Sequence, residues 1–290
     1  MKHFNRKLRL VLIAALAMMM VFALMGLVGC DGTGTDDAVD TGPVESAEPI
    51  TLTVGATPAP HSEILEFLKP KLAEDGIDLE IVVYTDFVLP NNALAAGDID
   101  ANYFQHVPFL QSFNDENGTD LSAVRGVHFE PLGIYPGRAA SIDDLEAGSE
   151  IAIPADPTNG ARALNLLEAA GIIVLEEAAG LFATPRDIAE NPFDVTIREV
   201  EAAQLPRILP DVDLAVINGN FALEAGLAFE DAIQVEDKES EAAQAYTNYL
   251  VTNTDRVNEA AIQTLGEWLN SEEVRTFILE RYEGRVVPTF

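Results

Sequence analysis

Seven side chains have types and positions suited to holding a small zwitterion. Phe87, Phe104 and Phe109 crowd around His106 within the stretch YTDFVLPNNALAAGDIDANYFQHVPFL, residues 84–110. Rings at that density either fill a core or grip an apolar ligand group, and spacing alone does not separate the two. Arg162 follows the loop Asp156-Pro157-Thr158-Asn159-Gly160, inside the first turn of an expected helix. A cation there opposes the helix dipole, and its planar fork suits a carboxylate, from a ligand or from a surface acid. Asn218 closes the apolar run Leu214–Ile217, and Asn248 interrupts the extended run Tyr246–Thr252. An asparagine can accept from an ammonium and donate to a carboxylate, although Asn218-Gly219-Asn220 also has the composition of a turn.

His106 has three open roles: a base, a metal ligand, or a neutral hydrogen-bonding core residue. The other histidines, His3, His61 and His128, stand at no metal-binding spacing from it. The chain has no G-x-S-x-G elbow, phosphate loop or dinucleotide fingerprint. Asp98 and Asp100 read as turn residues. The inventory is that of an amino-acid binder, with no catalytic residue, metal or cofactor expected. Two other classes remain open. One is a lipid-anchored enzyme using His106 as base with Asp98 or Asp100 assisting. The other is a surface adhesin or structural lipoprotein with a vestigial cleft.

Alternating elements would position these groups. Ile50–Gly55 and Leu79–Tyr84 have strand character, with a helical pattern at Ser62–Glu74 between them. A short strand is expected at Ile99–Asn102, a helix at Val107–Asn114, and extended runs at Leu121–Phe129 and Leu132–Tyr135. A second unit opens near Pro136-Gly137, with a strand at Ile151–Pro154 and a helix at Ala161–Ala170 stopped by Gly171. The extended run Tyr246–Thr252 then precedes two helices, Asp255–Leu269 and Glu272–Arg281. Such alternation implies α/β domains with mainly parallel sheets. Ligands in such sheets bind beyond the carboxyl ends of strands, which selects the loops after Leu79–Tyr84, Ile151–Pro154 and Asp213–Ile217.

The chain of 290 residues is 48% hydrophobic, enough for one large or two modest domains. Its net charge of -31 disfavours nucleic acid and anionic lipid surfaces as partners. Residues 1–9 are basic, residues 10–28 are uncharged and largely apolar, and Leu27-Val28-Gly29-Cys30 ends the run on the only cysteine. This has the form of a bacterial lipoprotein signal over residues 1–30, with lipid carried on Cys30. An uncleaved anchor or an ordinary secretory signal would share parts of the pattern. Residues 31–49 are rich in Gly, Thr and acid, too polar for a core, and read as a flexible tether reaching about 25 Å.

The segments FVLPNNALAAGDIDANYFQHVPFL, ADPTNGARAL, QLPR, LAVIN and VEDKES, in that order, resemble the methionine-binding lipoproteins of ABC importers, the NlpA family. The resemblance spans about residues 52–282. It implies a two-lobe α/β fold of the periplasmic-binding-protein kind, type II-like, with a two-stranded hinge. Lobe 1 would be residues 50–134 plus 250–290, and lobe 2 residues 135–249. It further implies L-methionine as ligand, held by Phe87, Phe104, His106 and Phe109 around the thioether, Arg162 on the carboxylate, and Asn218 and Asn248 on the head group. The implied partners are an ABC permease with its ATPase, and the membrane through Cys30. A monomer on the extracytoplasmic face of the cell membrane is expected. Phe87 and Phe109 stand where the family pattern suggests tyrosine, and the segment between Val235 and Asn248 is longer than the pattern. The stereochemistry of the ligand, or a methionine-containing dipeptide in its place, stays open.

Overall fold

The computed structural model describes residues 48–238 and 244–290. The expected signal peptide, Cys30 and nearly all of the tether lie outside the described residues. Among the described residues, no helix is long and apolar enough to cross a membrane.

Two mixed sheets form the frame. The first has six strands: β1 (Ile50–Ala56), β2 (Ile77–Val83), β3 (Ala101–His106), β4 (Leu121–Phe129), β12 (Asn248–Asn253) and β13 (Val287–Pro288), in spatial order β13-β4-β12-β3-β1-β2. The second has five: β5 (Gly133–Pro136), β6 (Glu150–Pro154), β9 (Thr196–Val200), β10 (Leu214–Ile217) and β11 (Gln234–Val235), in order β11-β5-β10-β6-β9. A separate short pair joins β7 (Val174–Leu175) and β8 (Ile188–Glu190).

The expectation of mainly parallel sheets needs correction. β1 pairs in parallel with β2 and β3, but β12 runs antiparallel to both β3 and β4. In the second sheet β6 is parallel to β9 and β10, while β5 is antiparallel to β10. Direction follows from where the chain crosses between sheets. β3, β4, β6 and β10 end at the cleft, whereas β5 and β12 begin there after a crossing. The crossing thus places strand starts beside strand ends. It also puts Gly133 and Ile134 in the second sheet and Asn248 and Tyr249 in the first, a few residues from the lobe boundaries expected above.

Each sheet has its own core. Helix α1 (Glu63–Glu74) buries Ile64, Leu65, Leu68 and Leu72, an i, i+4 stripe that faces the first sheet. The two C-terminal helices, Ala260–Leu269 and Glu272–Tyr282, add Ile262, Leu265, Leu269, Val274 and Ile278 to the same cluster. Each such side chain contributes roughly 1.5–3 kcal/mol on burial, so the C-terminal segment belongs energetically to the first lobe. The second core gathers Ile134, Ile151, Ile153, Leu164, Leu167, Leu214 and Val216.

The two crossings are tied together. The Leu132 amide donates to Glu236 Oε2 at 2.8 Å, and the Glu236 amide donates to the Leu132 carbonyl at 2.9 Å. Gly219, at the start of a short helix Gly219–Glu224, lies against the first crossing; a Cβ there would sit 2.9 Å from Glu130 Cβ and 3.1 Å from the Pro131 carbonyl. Only glycine permits that approach.

Candidate ligand-binding site

All seven sequence-selected residues line one cavity between the sheets. Phe87, Phe104, His106 and Phe109 come from the first lobe, Arg162 and Asn218 from the second, and Asn248 from the start of β12. His61, Gln105, Glu130, Asn159, Gly219 and Asn220 complete the lining. The strand-end rule explains the convergence: the cavity lies beyond the carboxyl ends of β1, β3, β4, β6 and β10.

The ring wall is built from two elements. β3 is buried along its whole length and delivers Phe104 and His106. It is longer than the short strand expected at Ile99–Asn102, and starts later, because Asp100 is taken up outside the cavity. Asp100 accepts from the Thr53 amide and from Arg256, both at 2.7 Å. Helix Val107–Asn117 follows at once and carries Phe109. Centroids of Phe87, Phe104 and Phe109 lie 5.9 to 6.1 Å apart, with Phe87 also 4.7 Å from Phe221 of the second lobe. Beneath the wall, Asn91, Asn102 and Gln105 form a closed amide triangle at 2.6–2.9 Å, which fixes the strand against the helix Leu89–Ala96.

His106 caps its helix. Its Nδ1 accepts from the Phe109 amide, so Nε2 carries the proton and donates to Asn159 Oδ1 at 3.2 Å, across the cleft. Burial, then the Arg162 charge, lowers its pKa to about 3. Both ring nitrogens are committed in the neutral form, which leaves none free to act as a base.

Arg162 stands on the second turn of the helix Pro157–Ala169 and not in the first turn, because the helix begins earlier than expected. Asp156 caps it through the Asn159 amide and Pro157 occupies its first position. The guanidinium is 4% exposed. Its Nε donates to Glu236 Oε1 at 2.7 Å, and its Nη2 to Glu236 Oε2 and to the Glu130 carbonyl at 2.8 Å. Tyr246 covers it with its ring centroid 4.4 Å from Cζ. The two-pronged face expected to meet a ligand carboxylate is thus taken by Glu236. Nη1 has no hydrogen bond among the described residues.

The asparagines are oriented by neighbours. Asn218 donates through Nδ2 to Asn159 Oδ1 at 2.9 Å, and its buried Oδ1 has no partner. An unpaired buried acceptor costs about 1–3 kcal/mol, a debt a ligand ammonium would remove. Asn248 Oδ1 accepts from His61 Nε2 at 3.2 Å, which turns its Nδ2 face, a donor, toward the cavity.

Glu130, His61 and His128 were not selected from the sequence. Glu130 is 6% exposed at the first crossing. It accepts from His128 Nε2 at 2.7 Å and His61 Nε2 at 3.3 Å, and from the Asn220 amide. Thr57 Oγ donates to His61 Nδ1 at 2.7 Å, and the Tyr103 hydroxyl bonds His128 Nδ1. Burial raises the Glu130 pKa, with His61 and Arg162 opposing, and lowers those of His61 to about 4 and His128 to about 3. These three side chains are the group among the described residues that could hold a metal, their ligand atoms lying within 4.8 Å. Their hydrogen bonds, however, aim N–H protons at the Glu130 oxygen, whereas a metal requires bare nitrogens.

The histidine shifts have a pH signature. A histidine kept neutral by the fold contributes stability that is full above its unfolded value near 6.5 and is lost as pH falls toward its folded value. Three such groups act together here, while protonation of Glu224, whose folded pKa burial raises to about 7, and of Glu130, also raised, offsets part of the loss over the same range. We expect the ligand-free melting temperature to fall steadily from pH 6.5 toward pH 4, followed by calorimetry. A flat profile over that range would contradict the buried neutral assignment.

The NlpA lipoprotein family model matches residues 52–290. This chain belongs to the NlpA lipoprotein family. It is 39% identical over 272 residues to the D-methionine-binding lipoprotein MetQ of Escherichia coli strain K12, covering 92% of this chain and 95% of that protein. It is 45% identical over 235 residues to the membrane lipoprotein TpN32 of Treponema pallidum, covering 81% and 86%. Among solved structures, a nutrient binding protein from Burkholderia cenocepacia bound to methionine superposes with TM-score 0.77 at 38% identity, covering 82% of this chain and all of that one. The two-lobe substrate-binding fold of the family is therefore the fold of this NlpA lipoprotein.

Proposed function

We propose that this NlpA lipoprotein captures free methionine outside the cytoplasm and delivers it to an ABC permease driven by an ATPase, held at the membrane by lipid on Cys30. The observation that carries the reading is the pairing at one cavity of a buried carboxylate, Glu130, a buried guanidinium, Arg162, and a triangle of phenylalanines. A zwitterion with an apolar tail satisfies all three. Its ammonium meets Glu130 and the unpaired Asn218 Oδ1. Its carboxylate meets Arg162 Nη1 and Asn248 Nδ2. Its thioether lies on ring edges, each contact adding about 0.3–1.5 kcal/mol. His106 fixes the closed lobes through Asn159.

The names carried by the relatives support the ligand and a binding role. Closure of the lobes about the two crossings would then signal occupancy. The test is a calorimetric titration. Residues 31–290 are unfolded to strip carried ligand, refolded as a monomer, and titrated with each amino acid. One-to-one methionine binding with an upward shift in melting temperature is expected. No heat with methionine and clear binding of another solute would overturn the ligand assignment.

A further inference from the structure

The cavity has a second chamber behind its ring wall. Phe87 and Phe109 line both the inner cavity and an outer chamber completed by Val88, Ser112, Phe113, Pro157 and Ala202. The centre of a water-sized sphere has about 20 Å³ of room in the inner cavity and about 390 Å³ in the outer one. The inner space thus suits a slim unbranched chain of atoms, while the outer is spacious. The partition between them is two edge-to-face rings, 5.9 Å apart at their centroids. Both rings are half-buried and neither has a hydroxyl to pin it by a hydrogen bond. Packing alone opposes their rotation.

The opposite end of the cavity is sealed. Arg162 is clamped by Glu236 and the Glu130 carbonyl and roofed by Tyr246, and Glu236 joins both crossings. A substituent on the ligand's amino or carboxyl group would have to enter the hinge. A substituent beyond the sulfur would enter the outer chamber. That chamber bears Glu116, Asp156 and Glu201 and no lysine or arginine, so it disfavours an added negative charge.

We infer that the Phe87–Phe109 partition admits free α-amino acids whose thioether chain is longer than that of methionine, uncharged or cationic at the tip, and that the same site rejects methionine-containing dipeptides. This rests on the placement of methionine proposed above. Its physical basis is that added methylenes pass from a snug space into a roomier, largely apolar one and meet only the two half-buried rings of the partition, which packing alone holds in place.

The refolded protein is titrated with L-homocysteine thioethers bearing methyl, ethyl, propyl and butyl groups, with the carboxyethyl thioether, and with methionyl-glycine and glycyl-methionine. The ethyl to butyl compounds are expected within tenfold of methionine, and the carboxyethyl compound and both dipeptides at least a hundredfold weaker. Ser112→Trp, at a half-buried helix position that lines the outer chamber, should lower the butyl-to-methyl affinity ratio by tenfold or more. Glu116→Lys should raise the carboxyethyl-to-butyl ratio by a similar factor. Ratios are read so that a general effect on closure cancels. Tight methionine binding with a tenfold loss for each added methylene, or ratios unmoved by both variants, would overturn the inference and leave the methionine reading standing. Absence of methionine binding would overturn both.

Discussion

Arg162→Ala is expected to weaken methionine binding by at least about a thousandfold, which corresponds to about 4 kcal/mol. Two losses combine. The ligand carboxylate would lose the only charged donor that lines the cavity among the described residues, and charge-assisted hydrogen bonds are the strong ones. The variant also leaves Glu236, 14% exposed at its side chain, without its guanidinium. Breaking a buried pair from one side costs about 3–5 kcal/mol of stability, so the ligand-free melting temperature should drop as well. Arg162→Lys separates the effects. It restores a charge but cannot bridge Glu236 and the ligand at once, so it should recover part of the stability and little of the affinity. Calorimetric titration and thermal melts of both variants check this. Near-normal affinity in Arg162→Ala would exclude the carboxylate role.

Glu130→Gln is expected to move binding and stability in opposite directions. The carboxylate is buried, its pKa is raised by desolvation, and no cation donates a hydrogen bond to it. Removing the charge should leave the ligand-free protein as stable or more stable at neutral pH, while methionine affinity falls about a hundredfold or more for want of a partner to the ammonium. For the same reason wild-type affinity should decline as pH falls through the raised Glu130 value. A variant that melts well below the wild type yet binds methionine normally would reassign Glu130 to a purely structural task.

Much of the site was legible because its residue types were out of place. Asn248 in an extended run breaks a local preference and lines the cavity; Arg162 lines it too, but from the second turn of its helix, so the opposition to the helix dipole that singled it out does not hold. Glu130 and His61 escaped for different reasons. Glu130 is a lone acid inside VHFEPLGIY, a signal of a partnered buried charge that needs no spacing pattern to notice. His61 follows β1, and the strand-end rule, applied to all strands, would have included its loop. The Arg162–Glu236 bridge was not legible: 74 residues separate its members, and the hinge that brings them together is a tertiary feature. Mixed sheet direction was hidden likewise, since it depends on where the chain crosses between lobes.

The most direct measurement is anomalous diffraction from crystals of the stripped protein, produced with ordinary methionine in the chain and then grown with free selenomethionine. The account places a single selenium peak against the rings of Phe87, Phe104 and Phe109, with the ligand carboxylate at Arg162 Nη1 and its ammonium at Glu130. A peak at the hinge end beside Arg162, or no peak between the lobes, would contradict it.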